Sequence, residues 1–79
     1  MDNDPTFTRF RDCAVEVLQV PAEKVTLEAR FSEDLDADSL DLVELVMALE
    51  EAFDVSVEGS ELEDITTIGQ AYSLISGKL

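Results

Sequence analysis

From Ser39 to Phe53 the chain runs without a glycine or proline, and its apolar side chains recur at helical rather than alternate spacing. At 100° per residue, Leu42, Leu45, Val46, Leu49 and Phe53 fall within an arc of about 100°, the width of a stripe that faces a core. A stretch with this period settles as a helix and not as a strand. The stripe needs neighbours to bury it, so the rest of the chain must supply packing partners. Leu40, Val43 and Met47 gather on roughly the opposite side, where Glu44, Glu50, Glu51 and Asp54 surround them. One helix therefore presents two apolar faces. Its start is marked by Asp38 as the expected cap, with Asp41 three residues later as a carboxylate version of the capping box.

Partners for that stripe are found on both sides of it. Asp4 is expected to cap a first helix with Pro5 at the first helical position, where its missing N–H costs nothing, and the helix runs to about Leu18. Phe7, Phe10, Ala14, Val17 and Leu18 form its core stripe, with Cys13 among them expected as a buried structural thiol. Pro21 ends it. A long connection follows from Ala22 to Ala37, and its isolated Val25, Leu27, Phe31 and Leu35 are expected to pin it to the bundle. A third, short helix is expected at Ser60 to Asp64, introduced by Gly59 with Ser60 as the cap and dependent on tertiary contacts. The fourth starts at Thr66 or Thr67, places Ile68, Ala71, Tyr72 and Ile75 on one face, and frays after Gly77. No segment shows sustained strand alternation, so the expected fold is all-α: a small four-helix bundle with a long loop between its first two helices and a short third helix. No repeat, low-complexity block or linker divides the 79 residues, which read as a single domain, 1–79.

A chain of this size buries only a modest part of its unfolded surface and has no room for a deep catalytic cleft. Its 46% apolar content nevertheless supports a folded core, because a disordered acidic chain would be poorer in hydrophobics. The formal charge is −14, and between Arg30 and Lys78 there is no basic residue. Repulsion excludes nucleic acid as a direct partner. Proteins with Lys/Arg patches are the partners such a field steers inward. Histidine is absent, which removes the usual general base and the commonest metal ligand. The single cysteine, Cys13, excludes an internal disulfide and a cysteine-based zinc site. Asp34-x-Asp36-x-Asp38 copies the first three ligand positions of an EF-hand, but Ser39 stands where glycine is required and Leu45 where the bidentate Glu is required. No specific metal site is expected, only loose divalent binding by clustered carboxylates. The acidic start, Met1 to Pro5, is followed by no long apolar run, so neither a secretory signal nor a membrane span is expected and the expected location is the cytoplasm.

Ser39 lies where the acidic stretch Glu33-Asp34-Leu35-Asp36-Ala37 meets the second helix. Serine is common at helix starts, where it can simply face water beside the cap. A phosphodiester on Ser39, however, would set an anion against the free N–H groups and the positive dipole end of that helix. The run from Asp38-Ser39-Leu40 through Asp41-Leu42-Val43-Glu44-Leu45-Val46-Met47-Ala48-Leu49-Glu50-Glu51-Ala52-Phe53-Asp54 closely resembles the segment of acyl carrier proteins that bears the prosthetic arm, and the resemblance extends more loosely over nearly the whole chain.

That resemblance implies that Ser39 carries 4′-phosphopantetheine, moved from coenzyme A by a phosphopantetheinyl transferase with Mg²⁺. It implies that the arm's thiol holds acyl intermediates as thioesters in fatty-acid or polyketide biosynthesis, in a freestanding carrier rather than an enzyme. Ser39 has no histidine or lysine near it in sequence to activate it, so catalysis belongs to the partners. Those partners, a phosphopantetheinyl transferase, an acyltransferase, a ketosynthase and related enzymes with basic patches, are expected to meet a monomer on the outward face of the second helix. There Leu40, Val43 and Met47 make the apolar centre and Asp38, Asp41, Glu44, Glu50 and Glu51 the charged rim. Val46, Leu62 and Ile65 are the expected lining of an acyl pocket between the second and third helices. A peptidyl or aryl carrier, and an acidic interaction module that is never modified, are the other readings. Three positions depart from the family's usual pattern: Asp36 stands for a glycine, Glu58 for a proline and Leu62 for a small residue. They bear on the course of the loop and the size of the pocket, and leave the attachment site untouched.

Overall fold

Asp4 opens the described part of the chain, residues 4–79 of a computed structural model, by accepting the Thr6 N–H at 3.0 Å and so capping α1, Pro5–Leu18. Phe7, Phe10 and Ala14 are buried on its inner face. The helix stops where Gln19 takes a left-handed conformation, φ 56°, and its N–H reaches the Val15 carbonyl at 2.9 Å. Val17, Leu18 and Cys13 differ from expectation: they sit half-buried at the edge of the core rather than inside it. Burial still pushes the Cys13 thiol above its ordinary value, with Glu16 and Asp12 adding to the shift and Arg9 opposing it.

The second helix, α2, spans Ser39–Phe53. Its cap is reciprocal: Asp41 N–H donates to Asp38 Oδ1 at 3.0 Å, and Asp38 N–H donates to Asp41 Oδ2 at 3.1 Å. Leu45 and Leu49 are wholly inaccessible, and Val46 and Leu42 nearly so. Each such leucine contributes about 2–3 kcal/mol by leaving water, which is why α1 and α2 pack against each other. Phe53, expected in the same stripe, is half-buried at the end of α2 with the Arg9 guanidinium 5.6 Å from its ring centre.

Between α1 and α2 the loop holds one 3₁₀ turn, Ala22–Lys24. Val25, Phe31 and Leu35 point into the core, as do two small residues the sequence pattern does not mark, Ala29 and Ala37. The loop is stitched by its backbone to the start of α4, Ile68–Ser76. Phe31 N–H donates to the Thr66 carbonyl at 3.0 Å, Ile68 N–H to the Ala29 carbonyl at 2.9 Å, and Gly69 N–H to the Leu27 carbonyl at 2.9 Å. Thr67 Oγ1 takes the third free N–H of that helix, from Gln70, at 3.2 Å. Glycine is required at position 69, because a Cβ there would lie 2.8 Å from the Leu27 carbonyl oxygen.

Tyr72 of α4 turns its ring edge toward Phe7 and Phe10, with centroids 5.2 and 5.5 Å away, and donates its hydroxyl to Asp4 Oδ2 at 2.6 Å. One carboxylate thus caps α1 and ties it to α4. The short α3, Gly59–Leu62, begins one residue earlier than expected, with Glu58 rather than Ser60 at the cap position. The reason is local: Glu61 accepts the Glu58 N–H at 2.9 Å, and Glu63 and Asp64 continue only as a turn. Glu61 also pairs with Lys78 beyond the end of α4, at 3.2 Å. The architecture is all-α, with four helices, a long first loop and a one-turn third helix; among the described residues the single β-bridge, Arg30 to Thr67, belongs to the loop stitching.

Candidate functional site

Ser39 is the first residue of α2 and its side chain is exposed. Two features of the local sequence put it there. Asp36 takes a left-handed conformation, φ 54°, which turns the chain sharply, and Ala37 is then buried with its N–H on the Phe31 carbonyl at 2.8 Å. The next residue, Asp38, closes the cap. Because Asp38 and Asp41 spend their hydrogen bonds on each other's backbone, the N–H groups of Ser39 and Leu40 have no acceptor among the described residues. They remain available to an anion joined to the Ser39 oxygen, at the positive end of α2. The chain contains no histidine, and the ionisable groups that share a wall with Ser39, Asp38 and Glu63, are carboxylates. No imidazole or amine stands beside this hydroxyl among the described residues.

A cavity of about 350 Å³ opens directly beside this serine. Its apolar lining comes from Phe31, Ala37, Leu42, Leu62 and Ile65, and its polar lining includes Asp38, Glu63 and Thr66. Of the three residues expected around a pocket, Leu62 and Ile65 are half-buried and line this space. Val46 does not line it: it is 4% exposed in the packed core, and Leu42, one helical turn nearer Ser39, occupies the corresponding wall.

The outward face of α2 carries Leu40, Val43 and Met47 at 65%, 41% and 60% exposure, three of the four large exposed hydrophobics among the described residues, the other being Leu79. Asp38, Glu44 and Glu51 are exposed around them, whereas Asp41 and Glu50 are half-buried. Glu50 also acts within the fold, where its Oε2 accepts the Val57 N–H at 2.9 Å and holds the chain that leaves α2. Sequence spacing gives no sign of that bond, since the partner is neither a cap nor on the same helix. Met47 and Ala48, with Glu44, Glu50, Glu51 and Asp54, form a shallow groove at the far end of this face. Arg30 pairs with Glu33 at 3.0 Å and Asp34 at 3.7 Å in the loop, an exposed arrangement of small energetic weight. Asp34, Asp36 and Asp38 are not brought together into a group that could hold a metal ion, among the described residues. Nor is any helix among them long and apolar enough to cross a membrane.

The family model for the phosphopantetheine attachment site matches residues 8–75. A protein of Petrotoga mobilis named acyl carrier protein is 47% identical over 79 residues, covering 100% of this chain and 93% of the relative. Another of that name, from a Picosynechococcus species, is 46% identical over 76 residues, covering 96% of this chain and 94% of the relative.

Proposed function

Because the chain belongs to the family defined by the phosphopantetheine attachment site, we propose that Ser39 is the residue that bears the arm and that the outward face of α2 receives the enzymes that load and use it. The protein carries acyl groups on covalently attached 4′-phosphopantetheine. When attached, that group supplies a thiol on which the acyl cargo rides as a thioester. The observation that carries the choice of Ser39 is its exposed hydroxyl at the first position of α2, beside two backbone N–H groups that lack an acceptor among the described residues. Those N–H groups suit the single negative charge of a phosphodiester. The match from residue 8 to residue 75 supports one carrier domain over residues 1–79.

The chain's own residues orient and attract rather than react. Leu40, Val43 and Met47 offer an apolar centre that desolvates on contact, and Met47 adapts its shape to different partners. Asp38, Asp41, Glu44 and Glu51 give the face its sign, so partners with Lys/Arg patches meet it faster and in a preferred orientation. A phosphopantetheinyl transferase, an acyltransferase and a ketosynthase are the partners this reading assigns, in fatty-acid or polyketide synthesis. The test is Ser39→Ala exposed to a promiscuous phosphopantetheinyl transferase with coenzyme A. The wild-type chain should gain the mass of one arm and the variant none, with its circular dichroism unchanged. Continued modification of the variant would move the site to another serine, such as Ser32 or Ser60.

A further inference from the structure

A helix of one turn, such as α3, does not hold itself together and depends on what fastens it from outside. None of its residues is buried, and of its side chains Leu62 packs half-buried against the core. The first loop is stitched to α4 through the backbone, but no backbone hydrogen bond joins residues 58–64 to another element among the described residues. Their one polar tie among those residues runs from Lys78 Nζ to Glu61 Oε1, at 3.2 Å. Glu58, Glu61, Glu63 and Asp64 crowd this stretch without a base, and Lys78 is the first base to follow Arg30 in the chain. Mutual repulsion favours detachment of α3, and a single cation opposes it.

Both ends of the tie are set by backbone. Glu61 Oε2 accepts the Glu58 N–H at 2.9 Å, which closes the capping box of α3 and leaves Oε1 to Lys78. The Glu58 N–H, and after it the Lys78 ammonium, holds the Glu61 carboxyl below its ordinary 4.5. At the other end, Gly77 N–H donates to the Ser73 carbonyl and Lys78 N–H to the Ile75 carbonyl, each at 3.0 Å, so the chain is wrapped onto the end of α4. Ile75 itself is 1% exposed and anchored in the core. A cation is favoured there by the helix dipole. The two side chains are 27% and 32% exposed, so water screens the pair only in part. We propose that Lys78 is a positioning residue: through Glu61 it fastens α3 to the end of α4, and its loss lets α3 detach while α1, α2 and α4 stay folded. Leu62 and Glu63 form part of the wall beside Ser39, so a cation near the last residue governs how firmly that wall stands. The proposal does not depend on which residue bears the arm.

The experiment compares the full chain with Lys78→Gln, Lys78→Arg, Glu61→Gln and the double variant Glu61→Gln with Lys78→Gln, following amide exchange residue by residue by nuclear magnetic resonance. Glutamine at position 61 keeps a carbonyl oxygen to accept the Glu58 N–H, so it removes the charge and not the cap. The Ile65 amide, bonded to the Leu62 carbonyl at 3.1 Å, reports detachment of α3. Lys78→Gln should speed its exchange about two- to five-fold, the range expected of a partly exposed ion pair, and leave the Leu45 and Leu49 amides at wild-type rates. Lys78→Arg should keep most of the protection. In the Glu61→Gln background Lys78→Gln should add nothing further, and the gap between wild type and Lys78→Gln should narrow in molar NaCl. An Ile65 rate unchanged in Lys78→Gln, an equal acceleration at Leu45 and Leu49, or the same acceleration by Lys78→Gln once Glu61 is already glutamine would each overturn the proposal.

Discussion

Asp36 holds a left-handed conformation that glycine adopts at no steric cost, in a stretch where acids already crowd one another. Asp36→Gly should therefore raise stability by up to about 1 kcal/mol, the backbone relief being partly offset by the greater freedom of glycine in the unfolded chain. Asp36→Asn is the control, since it removes the charge and keeps a side chain at that backbone position. Equal gains from the two variants in urea unfolding would assign the effect to charge alone. The bond from Tyr72 to Asp4 is a second residue-scale device with a definite pH signature. The Tyr72 hydroxyl, more than the Thr6 and Phe7 N–H groups, holds the Asp4 carboxyl below its ordinary 3.8, against the opposing effect of burial. Its stabilisation is thus present above pH 3.8 and lost as pH falls through the depressed value. The same bond pushes the Tyr72 hydroxyl above its ordinary 10.0, so that contribution is present below pH 10.0 and lost as pH rises through the raised value. Tyr72→Phe should lower the midpoint of urea unfolding at pH 7, and the gap from wild type should close in strong acid. Asp4 is legible as a cap because Pro5 follows it; its bond to Tyr72 is not, because nothing local marks a partner at the other end of the chain.

Each long helix shows how far periodicity reaches. Spacing alone assigns Leu45 and Leu49 to the core, and they are inaccessible, while Met47, between them in sequence, is 60% exposed. Leu49→Ala should cost about 2–5 kcal/mol, whereas Met47→Ala should change stability by no more than about 0.5 kcal/mol and instead speed dissociation from a partner such as a ketosynthase. Glu44→Lys should act on the other rate, slowing association and weakening its dependence on salt. If Met47→Ala unfolds the domain, its face of α2 is core. The elements that spacing places less well are those built from backbone or from single turns. The bounds of α3 follow from Glu61 holding Glu58, and Ala29 and Ala37 are buried without interrupting any pattern an eye for large hydrophobics would follow. The cavity beside Ser39 is lined by Leu62 and Ile65, which the sequence marks, and by Leu42, which spacing assigns to the core stripe, while Val46 lies in the packed core. Gly69→Ala would press a methyl group against the Leu27 carbonyl, at 2.8 Å before relaxation, and should cost about 1–3 kcal/mol in urea unfolding.

On the scale of the molecule, charge is segregated along the chain. Thirteen acidic residues lie between Glu33 and Asp64 with no base among them, while Arg9, Arg11, Lys24 and Arg30 all precede them. Self-repulsion within the acidic part weakens the fold at low ionic strength. Added NaCl should raise the melting temperature by screening, and millimolar Mg²⁺ should raise it further by weak association with the folded form. A melting temperature unmoved by either would show the acids to be spaced widely enough not to oppose folding. The same molecule is joined across its middle by hydrogen bonds in which only main-chain atoms take part, from Phe31, Ile68 and Gly69 to Thr66, Ala29 and Leu27. The exposed side chains that alternate with the bonded loop residues, those of Glu28, Arg30 and Ser32, take no part in these bonds. In a saturation library selected for folding, the exposed Glu28, Arg30 and Ser32 should accept nearly any residue except proline, while Ala29, Phe31 and Gly69 should accept few. Lineages can then rewrite the outer surface of the loop, and with it the company the protein keeps, while the path of the chain stays inherited.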